Sequence, residues 1–227
     1  MKRLSDWCGD NFSGGRITEL SVYKGDTYKL ELEGGQTFFI NCAIVADYDL
    51  HEGGEMDAEL LEKLQHADKM RKAKKRALYL LGSRMYSYNE LYKKLLPTYG
   101  EEASRAAADA MREYGYIDDA DYAEKLAEKL IHGKHYGMSK TRWEMQSRGL
   151  DKNLIEDILA EYTDDEIDEE IMRLLRTKYA EKLSDPDDRR RTVAALARRG
   201  YSYGAVKRCI EAALADEEDF DPDEFEE

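Results

Sequence analysis

The chain has 227 residues, enough for two ordinary domains or one extended array, and a compact fold of that size buries roughly 70% of its unfolded surface. With 37% charged and 42% hydrophobic residues, the composition is that of a soluble, mainly helical protein rather than a disordered one. A net charge of −14 argues against coating nucleic acid through bulk positive charge, although nine of the carboxylates crowd into the last twelve residues and the body before them is closer to neutral.

Residues 1–56 read as a β-rich extension. ITELSVY, TYKLELE and TFFIN alternate apolar and polar between the turn signals KGD and GGQ, which predicts a three-stranded meander. Its Ile17, Tyr28, Leu30, Leu32, Phe38 and Ile40 are expected on one face. CAIVADYDL then supplies a short helix, which HEGGE ends. The start of the chain lacks a signal-like apolar stretch, and no run approaches the roughly 18 apolar residues of a membrane span, so neither secretion nor membrane insertion is expected. Cys8, Cys42 and Cys209 are odd in number, far apart and without a CxxC, which points to free thiols in a reducing cytoplasm.

From Asp57 the apolar period becomes helical and the strands do not return. Helices are predicted near 57–82, 87–96, 101–114, 118–132, 138–148, 151–161, 165–179, 186–198 and 202–215. Gly100, Gly149 and Gly200, spaced 49 and 51 residues apart, set a rhythm. Leu96, Met145 and Leu196 stand four residues before them, and Ile155 with Val206 and Leu159 with Ile210 match after the last two. The expected architecture is therefore mainly α: an elongated array of three three-helix repeats, 57–117, 118–164 and 165–215, with the β-meander before it and an acidic disordered tail, 216–227, behind.

GYIDDADYAEKL, residues 115–126, packs three carboxylates after an aromatic-glycine-aromatic step. A left-handed Gly115 closing one helix and Asp118 as N-cap of the next account for it. Asp121 then falls at N3 for a capping box, Asp119 favours the positive helix end, and Ile117 with Tyr122 are placed for a hydrophobic staple. A weak metal site or a nuclease centre on Asp118, Asp119 and Asp121 is the weaker reading, because no partner His, Cys or acid completes a ligand set.

GYIDDADYA, followed by GMSKTRWEMQSRGL and ALARRGYSYGAVKRCIEAAL, with RALYLLGSRMYSYNELYKKL upstream, closely resembles the RecX family, regulatory proteins that modulate the RecA recombinase. The resemblance covers about residues 70–214. Asp121 departs from it, standing where the family often has Arg or Lys. The resemblance implies a non-enzymatic monomer without cofactor or metal. Such a protein docks along a RecA filament, with single-stranded DNA within or beside it, and suppresses ATP hydrolysis, strand exchange and co-protease function. The rival from another class is a helical repeat protein that grips DNA directly.

Candidate partner-binding residues are basic. Lys72, Lys74, Lys75 and Arg76 lie in KMRKAKKR, Arg142 and Arg148 in the middle repeat, and Arg189, Arg190, Arg191, Arg198 and Arg199 in DDRRRTVAALARRG. Against this, a charge run is ordinarily a solvated helix face, and the Arg-Gly pairs at 148–149 and 199–200 are ordinary helix-end capping. His132 and His135 have metal-ligand spacing but read as helix-end polar residues. Asp219, Asp221 and Asp223 imitate the opening of a calcium loop that lacks its glycine and final Glu. The tyrosines, Tyr201 and Tyr203 among them, read as packing residues before stacking platforms.

Overall fold

The computed structural model describes Leu4 and residues 12–218, with side chains as far as residue 215 at the C-terminal end. Cys8 and residues 219–227, and with them the calcium-loop imitation and most of the acidic tail, lie outside the described residues. Helix dominates, preceded by a small sheet. No helix among the described residues is long and apolar enough to cross a membrane.

The meander forms as the alternation predicts, from β1 (Gly15–Lys24), β2 (Thr27–Leu32) and β3 (Thr37–Asn41). Ile17, Leu30, Leu32, Phe38 and Ile40 are each at most 2% exposed, while Tyr28 is only half-buried. Asn41 caps α1 (Cys42–Asp47), its Oδ1 accepting from the Ala43 N–H at 3.1 Å. HEGGE does more than end that helix. Its last residue begins β4 (Glu55–Met56), antiparallel to β1 with Gly15 opposite Met56, and the sheet has four strands in the order β3-β2-β1-β4. Two residues carry no readable alternation. Their place is fixed by backbone bonds beside them, Ile17 N–H to Gly54 O and Gly53 N–H to Ile17 O, both 2.8 Å. The sheet's apolar face is closed by Leu61 and Leu64 of α2 (Ala58–Leu81), the packing partner that so small a sheet requires.

The helices 87–96 and 101–114 of the sequence reading both form, as the two arms of α3 (Tyr88–Glu113), separated at a kink where Gly100 takes the non-helical φ 71° and ψ 178°. One position of the repeat alignment shifts by a residue in this first repeat. Leu95 is buried at 1% while Leu96 is 37% exposed, because helix resumes directly after Gly100 whereas Gly149 and Gly200 are followed by short loops. The later positions match as aligned: Met145, Leu196, Ile155 and Val206 are fully buried.

Then come α4 (Asp119–Glu128), α5 (Met138–Ser147), α6 (Lys152–Leu159), α7 (Asp164–Leu174), α8 (Pro186–Arg198) and α9 (Tyr203–Glu218). Both α4 and α7 end in a π-helical turn, Lys129–Gly133 and Leu175–Tyr179. The wider turn brings consecutive apolar residues inward: Leu130 with Ile131 after α4, and Leu175 next to Leu174 after α7. The chain divides into two compact units, one of residues 1–84 with 91–116, the other of 85–90 with 117–227.

Candidate partner-binding surface

The DD-x-D stretch serves helix ends. Asp118 Oδ1 accepts from the N–H groups of Ala120 and Asp121 at 2.9 and 3.1 Å, and Gly115 is left-handed at φ 74°. Asp121 does not reach back to complete a capping box. It turns forward to Lys125 at 2.6 Å, an i,i+4 ion pair that a long lysine offers at no cost in backbone geometry. Asp119 has a job that local pattern does not reveal, accepting from the Tyr88 N–H at 2.8 Å and so capping a helix 31 residues earlier. Replacing Asp118 by Ala is expected to lower stability by about 1 kcal/mol, measured by urea melting, with regulatory activity retained. Lost activity at unchanged stability would overturn the capping account.

The two Arg-Gly turns are tied into the second unit in parallel ways. Ser87 Oγ donates to Arg148 O at 2.5 Å and Asn89 Nδ2 to Gly149 O at 2.6 Å. Gly137 N–H donates to Arg199 O at 2.8 Å and Ser139 N–H to Gly200 O at 3.2 Å. Each turn thus delivers two carbonyls to the start of an earlier helix, α3 in one case and α5 in the other. The arginine side chains finish the joints. Arg148 Nη1 donates to Tyr122 Oη at 3.0 Å beside Glu90, and Arg199 Nη1 donates to Lys134 O at 3.0 Å and His135 O at 3.3 Å.

The candidate cations therefore fall into two groups. Arg142 forms a bidentate pair with Glu156 at 2.7 and 2.9 Å, and its hydrogen bonds hold the Glu156 carboxyl below the usual carboxylate range. Lys72 pairs with the buried Asp68 at 2.5 Å, and Arg148 and Arg199 serve the joints. Lys74, Lys75 and Arg76 are exposed with no ion pair among the described residues, and the Arg76 guanidinium rests 5.0 Å from the ring centre of Tyr79, itself 70% exposed. On α8, Arg190 and Arg191 pair weakly within the helix with Asp187 and Asp188 at 3.5 and 2.8 Å, Arg189 is half-buried, and Arg198 is exposed.

His132 and His135 are joined by a residue that the sequence reading passed over. Glu170 of α7, 5% exposed, receives His132 Nδ1 at 2.9 Å and His135 Nδ1 at 2.6 Å on its two oxygens. Burial pushes its carboxyl up, but the hydrogen bonds of both histidines and the charge of Arg173 outweigh that and leave it below the usual range. The readable signal was an acid on the apolar stripe Ile167, Glu170, Ile171, Leu174. Among the described residues no group of His, Cys, Asp and Glu is arranged to hold a metal ion. Cys42 and Cys209 are free, and burial pushes the Cys209 thiol up to about 11, a poor nucleophile.

The models of the second and third three-helix domains of RecX match residues 118–159 and 164–210. The chain is 28% identical to the regulatory protein RecX of Leuconostoc citreum over 88% of its own length and 77% of the relative's. It is 27% identical to that of Bacillus velezensis, over 89% and 79%. Two crystal structures share the fold: one of regulatory protein RecX, with a TM-score of 0.68 over 85% of this chain and 98% of that one, and one of RecX from Lactobacillus salivarius, 0.59 over 66% and 99%. Identity is 22% in both.

Proposed function

This chain belongs to the RecX family, and from that premise we propose that it regulates the RecA recombinase by binding its filament on single-stranded DNA and lowering ATP hydrolysis, strand exchange and co-protease activity. It does so as a cytoplasmic monomer and without chemistry of its own. The observation that favours docking on a charged polymer is the trio Lys74, Lys75 and Arg76: exposed, unpaired among the described residues and set beside an exposed aromatic. In a chain with 49 acidic residues against 35 basic ones, carboxylate partners are plentiful, so three adjacent cations without one favour an acidic surface supplied from outside.

The test is co-sedimentation with RecA filaments assembled on single-stranded DNA with a slowly hydrolysed nucleotide, beside free RecA and bare DNA. Retention on filaments, accompanied by a fall in RecA ATPase, is the expected result. Equal retention on bare DNA with no change in ATPase would instead support the direct DNA-binding reading.

A further inference from the structure

The start of α5 and the start of α9 meet at a surface that the RecA reading does not use. Lys140 Nζ stands 4.0 Å from the ring centre of Tyr136 and Lys134 Nζ 5.6 Å from it, and neither lysine makes an ion pair among the described residues. One turn along α5 from Lys140 stands Trp143, 62% exposed, which is unusual for a side chain that is highly buried on average. The start of α9 is fastened to the same place. Ser139 N–H donates to Gly200 O at 3.2 Å, Gly200 lies directly against the backbone of Lys140, and Tyr203, 69% exposed, follows three residues later. α5 itself, MSKTRWEMQS, contains a single acid, Glu144, which is half-buried. Two cations without carboxylate partners and two open rings therefore share one region of the second unit.

We infer that this surface is the docking site of the chain's own acidic end, residues 219–227, which runs back along α9 and covers Lys134, Lys140, Trp143 and Tyr203. Composition selects the occupant. DFDPDEFEE carries six carboxylates, no base and two aromatic residues, Phe220 and Phe225, so it supplies acids for the two lysines and rings for the two exposed ones, which pair favourably edge to face. Length selects it as well. α9 starts at Tyr203 and ends at Glu218, so those two residues lie roughly 23 Å apart at 1.5 Å per residue. Phe225 is seven residues past Glu218, and seven extended residues span roughly 23 Å, which brings its ring level with Tyr203. Tethering does the rest: a short linker holds the segment at an effective concentration on the order of 1 mM, so contacts too weak to hold a free peptide suffice. The tail is then a built-in cover, and any acidic partner reaches the surface only by displacing it.

The inference stands without RecA, and so does its test. In a Trp7→Phe background Trp143 is the remaining tryptophan, and acrylamide, a neutral quencher, reports how open its ring is. A tail variant carries Asp221→Asn, Asp223→Asn, Glu224→Gln and Phe225→Ala in the full chain. With an affinity near the effective concentration the ring is covered about half of the time, so the quenching constant should rise about twofold in this variant. Lys134→Glu with Lys140→Glu should raise it to the same level. Adding Asp221→Lys, Asp223→Lys and Glu224→Lys to that lysine reversal restores opposite charges and should return the parent's value. Salt at about 0.5 M should open the ring in the parent and leave the tail variant unchanged, because it screens the contact. A second measurement needs no variant. Carbodiimide coupling of the dilute, unsubstituted chain, mapped by mass spectrometry, should join Lys134 or Lys140 to carboxylates of residues 219–227 within one molecule. Equal quenching of the parent and the folded tail variant, or tail couplings confined to other lysines, would overturn the inference. Couplings between isotopically labelled and unlabelled molecules would also overturn it, by assigning the surface to a second copy.

Discussion

Gly137→Ala should destabilise the second unit by about 3 kcal/mol, near the upper end of what overpacking a close-packed interior costs, and lower the melting temperature by roughly 10 °C. A Cβ on Gly137 would stand 2.3 Å from the carbonyl carbon of Gly200, 2.4 Å from its oxygen and 2.4 Å from the Tyr201 nitrogen. All three are backbone atoms held by the bonds Gly137 N–H to Arg199 O and Ser139 N–H to Gly200 O, so no rotamer relieves the clash. The two segments must separate, and the pairing of α5 with the turn is lost. Gly115→Ala is the control. Gly115 is left-handed at φ 74° with nothing within 4 Å of its would-be Cβ, so that substitution should cost only the ~1 kcal/mol of an L-residue in that conformation. Gly137 itself has φ −75°, ordinary for any residue, and its requirement is purely one of space. Thermal and urea melting of the two variants decide the matter. Equal, small losses would mean that the backbone approach at Gly137 is not what holds the turn.

That contrast shows where the sequence was legible. Gly115, Gly149 and Gly200 announce themselves as helix-closing glycines because local pattern surrounds them, and their left-handed backbone follows. Gly137 sits between helices where no local pattern asks for a glycine, and its partner lies 63 residues further on, so nothing nearby states the constraint. The same division runs through the acids. Asp118 is read correctly as an N-cap because the N–H groups it serves are two and three residues away, whereas Asp119 caps a helix at Tyr88 and Glu170 gathers His132 and His135 from another element. Periodicity located the helices but ran 165–179 as one uniform helix and missed the π turns, because a widened turn alters hydrogen bonding without breaking the apolar stripe. Among the basic residues, the charge run at 69–76 was visible as a run. Only the fold separates Lys72, spent on the buried Asp68, from Lys74, Lys75 and Arg76, which are not.

That separation sets the design of the reversal experiment. Lys72 must be left in place, because reversing it would set a second negative charge against Asp68, which is only 9% exposed, and loss of fold would then imitate loss of binding. Lys74, Lys75 and Arg76→Glu touch exposed positions and should leave melting nearly unchanged. The concentration needed to halve RecA ATPase on single-stranded DNA should nevertheless rise on the order of tenfold, since each reversal replaces an attraction to an acidic surface with a repulsion. Arg190 and Arg191→Glu on α8 should cost less, about threefold, because those cations already share their charge with Asp187 and Asp188. The two sets belong to different units of the chain. If both touch the filament, one ligand is held at two linked places, and removing both should weaken inhibition by more than the larger single effect, as loss of either contact no longer leaves the other to retain it. Purified variants with wild-type circular dichroism, titrated into one RecA reaction at fixed salt, measure all three effects. Full inhibition by the doubly reversed, folded protein would return both clusters to the status of solvated helix faces and remove the basic trio as the support for filament docking.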